Sequence, residues 1–193
     1  SILLYREQKF EFDTKAIQKD LIEFLNDRLK NYMKEKGIRQ DIIEAAISSY
    51  NIDQILKIYS KAVVLNRLIS KEIGKDIISS YKRASNILSS ELQDKSIELN
   101  NSTEPDLFKN EYEKNLYTKI NEIRKYFTNV NKDENYEKSL KILASAKKEI
   151  FDFFDNVIVN DNDEFIKKNR LELLQMLCKS FNNYIDFSSI EDF

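Results

Sequence analysis

Apolar residues recur along this chain three and four positions apart, the spacing that lines one face of an α-helix. Asp13 or Thr14 can cap a first helix that runs to Lys36, with Gly37 as its stop. Its stripe is Ile17, Leu21, Phe24/Leu25, Leu29 and Tyr32. Arg28 falls inside that stripe and reads as an arginine lying over the core edge with its charge in water. A second helix spans about Arg39 to Tyr50. Asn51 caps a third, with Gln54 in the capping-box position and Ile55, Tyr59, Ala62, Leu65 and Ile69 facing inward. A break falls around Gly74, and a fourth helix continues to about Leu88 with Ile77, Tyr81, Ala84 and Leu88 on its inner side.

The pattern then lapses. Residues 89–105, SSELQDKSIELNNSTEP, hold few apolar positions and read as a loop or a short, poorly held helix, partly disordered. A fifth helix from about Asp106 to Thr128 keeps Phe108, Tyr112, Leu116, Ile120, Ile123 and Phe127 in register. After a turn at Asn129 to Asn135, a sixth runs from about Tyr136 to Asn156. It is apolar on two sides, which predicts a central helix sandwiched between neighbours. The stretch FFDNVIVND, Phe153 to Asp161, makes an elbow into a last helix, Glu164 to Phe181, followed by a short tail at Tyr184 to Phe187. The expected fold is all-α with about seven helices, split into a helical segment at 1–73 and a bundle at 74–193.

Composition narrows the chemistry. Two glycines and one proline leave no room for glycine-rich phosphate loops or turn-dense β folds. The absence of histidine removes His-based general-base catalysis and His-ligated metals. The single cysteine, Cys178, excludes a disulfide framework and shares helical spacing with Leu174 and Phe181, as a small buried apolar residue would. No run is long and apolar enough to span a bilayer. The chain begins at Ser1 and reads as part of something longer. Net charge is -2, but residues 1–88 hold 16 Lys+Arg against 12 Asp+Glu while residues 89–193 hold 15 against 21. That asymmetry permits RNA on one side without requiring it.

No catalytic residue and no metal site is expected, because acid pairs such as Asp152/Asp155 and Asp161/Asp163 read as helix ends and solvated faces. In YKRASNIL, Tyr81 to Leu88, helical spacing puts Lys82, Arg83 and Asn86 together, away from the inward residues. Two cations and an amide can hold a phosphate and read a base edge, or can simply be a solvated face. Arg170 lies four residues from Ile166 and from Leu174, so it points to the packed side and needs a partner. The elbow supplies Asp155, Asn156, Asn160 and Asp161. Asp155, ending the preceding helix, is the expected partner in a structural clamp.

These stretches carry a resemblance. YKRASNIL resembles the helix that opens DALR-type anticodon-binding domains of arginyl- and glycyl-tRNA synthetases. EKNLYTKI, Glu113 to Ile120, resembles the next helix, and FFDNVIVND with Arg170-Leu171 resembles the closing pair. Upstream, FLNDRLKNYMKEKGIRQDII, Phe24 to Ile43, is similar to the bacterial glycyl β-subunit family rather than the arginyl one. The resemblance implies a DALR-type helical bundle, preceded by an extra helical segment, that grips the anticodon arm of tRNA(Gly). Lys82, Arg83, Asn86 and Asn156 are then the candidate RNA-binding residues, and Arg170 with Asp155 the clamp. It also implies a cytoplasmic ligase in which a separate α subunit, in a heterotetramer, carries the adenylate chemistry. ATP and magnesium would bind there, with no cofactor in this segment, no DNA and no membrane. A helical protein-interaction scaffold without an RNA role is the alternative.

Overall fold

The computed structural model describes residues 13–49, 54–92, 98–100, 102–129 and 135–191. Among them are eight α-helices: α1 (Thr14–Glu35), α2 (Gln40–Ser48), α3 (Ile55–Leu68), α4 (Glu72–Leu92), α5 (Glu111–Asn129), α6 (Tyr136–Ala144), α7 (Lys147–Asn156) and α8 (Glu164–Asn182). Two short 3-10 turns, Pro105–Leu107 and Phe187–Ser189, complete the order, and no strand occurs among the described residues. The expected cap at Asn51 lies outside the described residues.

Local chemistry sets the helix ends. Asp13 caps α1 by accepting from the backbone N–H groups of Lys15 and Ala16. At the other end Gly37 has φ 73°, its N–H reaches Lys34 and the Ile38 N–H reaches Met33, closing the orphaned carbonyls. The break expected at Gly74 falls instead at Ile69 to Lys71, and Gly74 sits inside the first turn of α4. Its role is close approach: a Cβ there would lie 2.4 Å from the Ile69 backbone.

One hydrophobic core joins the segments on both sides of residue 74. Helix α4 packs on α8 and α6, while α5 packs on α7 and α8. The central helix is α8 rather than the sixth predicted one: twelve of its side chains, from Ile166 to Phe181, are buried. The predicted sixth helix is instead broken at Ser145–Ala146 into α6 and α7. The break lets each half use its own apolar face, α6 turning Leu140 and Leu143 inward beside α4 and α7 turning Ile150 and Phe153 inward beside α5. The tail is core, not trim. Tyr184, Ile185 and Phe187 are fully buried, and the Tyr184 hydroxyl donates to the Lys61 carbonyl on α3. Tyr81 of α4 meets Phe181 and Phe187 with ring centroids at 6.2 and 5.8 Å. Asp41 sews the tail to α2 by accepting from the Glu191 N–H and from both arms of Arg39.

Helix α1 departs from expectation. Only Leu29 and Met33 of its apolar residues are buried, while Ile17, Leu21, Phe24 and Tyr32 are 45–54% exposed. Arg28 stacks over the exposed Phe24 ring at 5.2 Å rather than over a core edge. At the start of 89–105 the chain is helical, since α4 continues to Leu92. The far end of that stretch is pinned along α8: the Asn100 N–H donates to Glu172, and Glu104 exchanges two backbone hydrogen bonds with the Asn169 amide.

The elbow between α7 and α8 is held by Arg170. Its Nε donates to Glu113 Oε1 at 2.6 Å, and its Nη1 donates to Asp161 Oδ2 at 2.6 Å and to the Ile158 carbonyl at 2.9 Å. Asp155 is not the partner, which corrects the expectation; it lies at the exposed end of α7 and faces Arg83 instead. Glu113 sits fully buried because its second oxygen is also used: Oε2 accepts from the N–H groups of Lys109 and Asn110, while Asn110 Oδ1 accepts from the Glu113 N–H. That is a capping box at the start of α5, tied through Arg170 to the elbow. The carboxyl of Asp161 is lowered from the ordinary aspartate range, first by the Asp163 backbone N–H and then by Arg170.

Three outcomes test this frame. Gly74→Ala would ordinarily favour a helix, but the Ile69 backbone blocks the methyl, so it should lower stability by about 1–3 kcal/mol in thermal melts. Arg170→Ala leaves Glu113 buried without its cation and should cost about 3–5 kcal/mol, and Arg170→Lys should restore little because one ammonium cannot reach two carboxylates as a planar fork does. A lowered aspartate contributes stability that is complete above its unfolded pKa and is lost as pH falls through the folded value. Melting temperature should therefore fall less steeply in acid for Asp161→Asn than for the wild type, since the amide still accepts from Asp163 but binds no proton.

Candidate nucleic-acid interface

Helix α4 buries one side completely and thereby aims the other. Ile77, Tyr81, Ala84 and Leu88 all lie inside, and burial raises the Tyr81 hydroxyl to a pKa of about 12. A helix anchored on four successive turns cannot roll, so Arg83 and Asn86 must face out. Lys82 is half-buried at the edge of that strip.

Arg83 meets the last turns of α7. Its guanidinium carbon stands 4.5 Å from the Phe154 ring centroid and 5.9 Å from that of Phe151. Asp155 Oδ1 is 3.6 Å from its Nη2, with both side chains substantially exposed. Asn156 follows at the end of α7, exposed, its amide donating to the Asp152 carbonyl. The structure thus brings Arg83 to the corner that carries Asp155 and Asn156, residues to which the sequence assigns separate roles. Phe151 and Phe154 read in the sequence only as apolar positions; the stack they make with Arg83 joins residues about 70 positions apart and leaves no local signature.

Energetics separate this arginine from Arg170. The Arg83–Asp155 pair is solvated and worth about 0–1 kcal/mol, so the guanidinium can exchange its carboxylate for a phosphate at little cost. The aromatic stack meanwhile holds the planar group in place. Arg170 is fully committed inside the elbow and has nothing to offer an RNA. Acidic groups bound the usable surface: Asp152 and Asp155 close α7, and Asp161, Asp163 and Glu164 open α8. Phosphate can approach from the α4 side and is repelled from the acidic elbow.

Among the described residues there is no group of three or more His, Cys, Asp or Glu placed to hold a metal, and no helix is long and apolar enough to cross a membrane. Cys178 is buried and its thiol is pushed up to about 12, so it stays unreactive.

The chain is similar to the glycine–tRNA ligase β subunit of Clostridioides difficile, 30% identical over 94% of the chain and 25% of that protein. The β subunit of a Sulfurihydrogenibium species is 30% identical over 98% of the chain and 27% of its own length. That of Rickettsia prowazekii is 32% identical over 86% and 24%. The chain therefore spans about a quarter of the length of these relatives. The sequence pattern of the DALR anticodon binding domain matches residues 77–191, from the inner face of α4 through the tail that plugs the core, and the chain belongs to that family.

Proposed function

We propose that this chain is the anticodon-arm-binding C-terminal part of a glycine–tRNA ligase β subunit, with Arg83 at the contact to the RNA backbone. The observation that carries the reading is the Arg83 corner: an exposed guanidinium, stacked on Phe154 and loosely paired, inside the matched family span. Such a group meets a phosphate bidentately and in a fixed plane. Asn86, one turn along α4, and Asn156 across the corner are the amides that would read base or sugar edges beside it. Lys82 adds a cation at the rim.

In this reading the segment binds and orients tRNA and performs no chemistry. Glycine and ATP with magnesium are handled elsewhere in the enzyme, and an α subunit carrying that chemistry assembles with the β subunit in a cytoplasmic heterotetramer. The role here is positional: holding the anticodon arm lets the remainder of the enzyme present the acceptor end.

The test is binding of glycine tRNA across a salt series, against the same tRNA with its anticodon exchanged. Lys82→Ala with Arg83→Ala should weaken binding and flatten the dependence of log affinity on log salt by about one unit for each phosphate that is no longer neutralised. Arg83→Ala alone should move the melting temperature little, because its ion pair is exposed. Unchanged affinity in the folded double variant would instead favour a protein-interaction scaffold.

A further inference from the structure

A second feature flanks the elbow at the first turn of α8. Phe165 is 75% exposed, and no other ring pairs with it among the described residues. It borders a recess of about 210 Å3 whose walls include Asn100, Ser102, Lys168, Asn169 and Glu172. Drug-sized ligands occupy about 300–1,000 Å3, so this recess suits one flat ring rather than a whole nucleotide.

The walls are fixed in advance. Residues Phe165, Lys168, Asn169 and Glu172 recur at three, four and seven positions and so share one face of α8. The opposite wall is made by Asn100, Ser102 and Glu104, held there by the Asn100–Glu172 bond at 2.9 Å and the Glu104–Asn169 pair at 2.7 and 3.1 Å. Resting on the proposal that this chain binds an anticodon arm, we infer that the recess takes one unpaired base of the RNA loop, stacked on Phe165.

Each wall group suits that ligand. An exposed aromatic face accepts any base by stacking. Asn100 and Ser102 offer side-chain donors and acceptors to its edge. Glu172 excludes a phosphate from the interior by like charge. As a carboxylate it can only accept, so it favours a base edge that presents N–H groups. Lys168 at the rim is the one cation among the described residues that line the recess, and it meets the adjoining phosphate. A duplex cannot enter, because its bases are stacked on one another and their edges paired. The site therefore distinguishes a loop from a stem, which the Arg83 corner, reading backbone charge, does not.

The chain contains no tryptophan, so Phe165→Trp would place a single tryptophan, excited selectively over the tyrosines, at the recess. This variant is titrated with an RNA stem-loop carrying the glycine tRNA anticodon loop, and separately with the same stem as a blunt duplex. The stem-loop should quench the tryptophan saturably and the duplex should leave it unchanged. Phe165→Ala should bind the stem-loop about tenfold or more weaker, the loss expected of one base–aromatic stack, with an unaltered salt slope and melting temperature. If wild type and Phe165→Ala bind the stem-loop equally, or if the duplex quenches as well, the recess is not a base site although the anticodon-arm reading stands. A Phe165 surface made for another protein would give that first result. If the wild type binds neither glycine tRNA nor the stem-loop, the anticodon-arm reading fails and the base site fails with it.

Discussion

The buried guanidinium of Arg170 gathers Glu113, Asp161 and the Ile158 carbonyl, and three pieces of the fold depend on that grip. Glu113 opens α5, Asp161 and Ile158 belong to the elbow, and Arg170 itself lies on the central helix. Taking two charges out of water costs more than their attraction reliably returns, so such a pair is a weak source of net stability. Its value is in register. A hydrophobic contact tolerates sliding, whereas a planar fork meeting two carboxylates and a carbonyl has one geometry. The second oxygen of Glu113 extends the constraint into the α5 capping box, so displacing the elbow would also uncap a helix.

That constraint reaches the surface. The elbow sets where α7 ends, and the last turn of α7 carries Phe154, Asp155 and Asn156. Helix α4 is locked from the other side by Tyr81, packed against Phe181 and Phe187. Arg83 is thus presented between two elements that are each anchored in the core, and a contact surface built this way needs little reordering on binding. The tail closes the same structure: Phe187 packs against Tyr81, and Asp41 of α2 holds Glu191. The helices before residue 74 and the bundle after it consequently share one core.

Helices were legible in the sequence because burial on one face leaves a 3.6-residue trace, as at Ile77, Tyr81, Ala84 and Leu88. The same trace misled where apolar residues are not covered: α1 shows a full stripe, yet only Leu29 and Met33 are buried. Periodicity records that a face is apolar, not what covers it. The two-faced segment before the elbow became two helices, because two faces with different neighbours can be met by a bend as well as by a sandwich. For the site, burial of Arg170 was legible from its spacing to Ile166 and Leu174, but its partner was not. Asp155 was expected because it ends the preceding helix, whereas the bonds go to Asp161, another elbow residue, and to Glu113, which lies 57 residues away and whose capping-box role gave no sign of a second bond. Non-local pairing of charges leaves no periodic mark, and the Arg83–Phe154 stack was unreadable for the same reason.

The two arginines show how one residue type divides between holding a fold and meeting a ligand. Both are planar cations near the same elbow and both face carboxylates. What differs is solvent. At Arg170 the side-chain exposure is 6% and at Glu113 it is 0%, so neither partner can leave without stranding a charge. At Arg83 and Asp155 the values are 42% and 65%, water already screens both groups, and exchanging Asp155 for a phosphate replaces one solvated pair by a stronger one. Asp155 also has a use when no RNA is present: with the Phe154 ring it helps hold the guanidinium at the end of α7, so less side-chain entropy is lost on binding. An acidic surround is therefore compatible with RNA binding here. It keeps phosphate off the elbow that Arg170 must hold shut, and leaves Arg83 on α4 open to it.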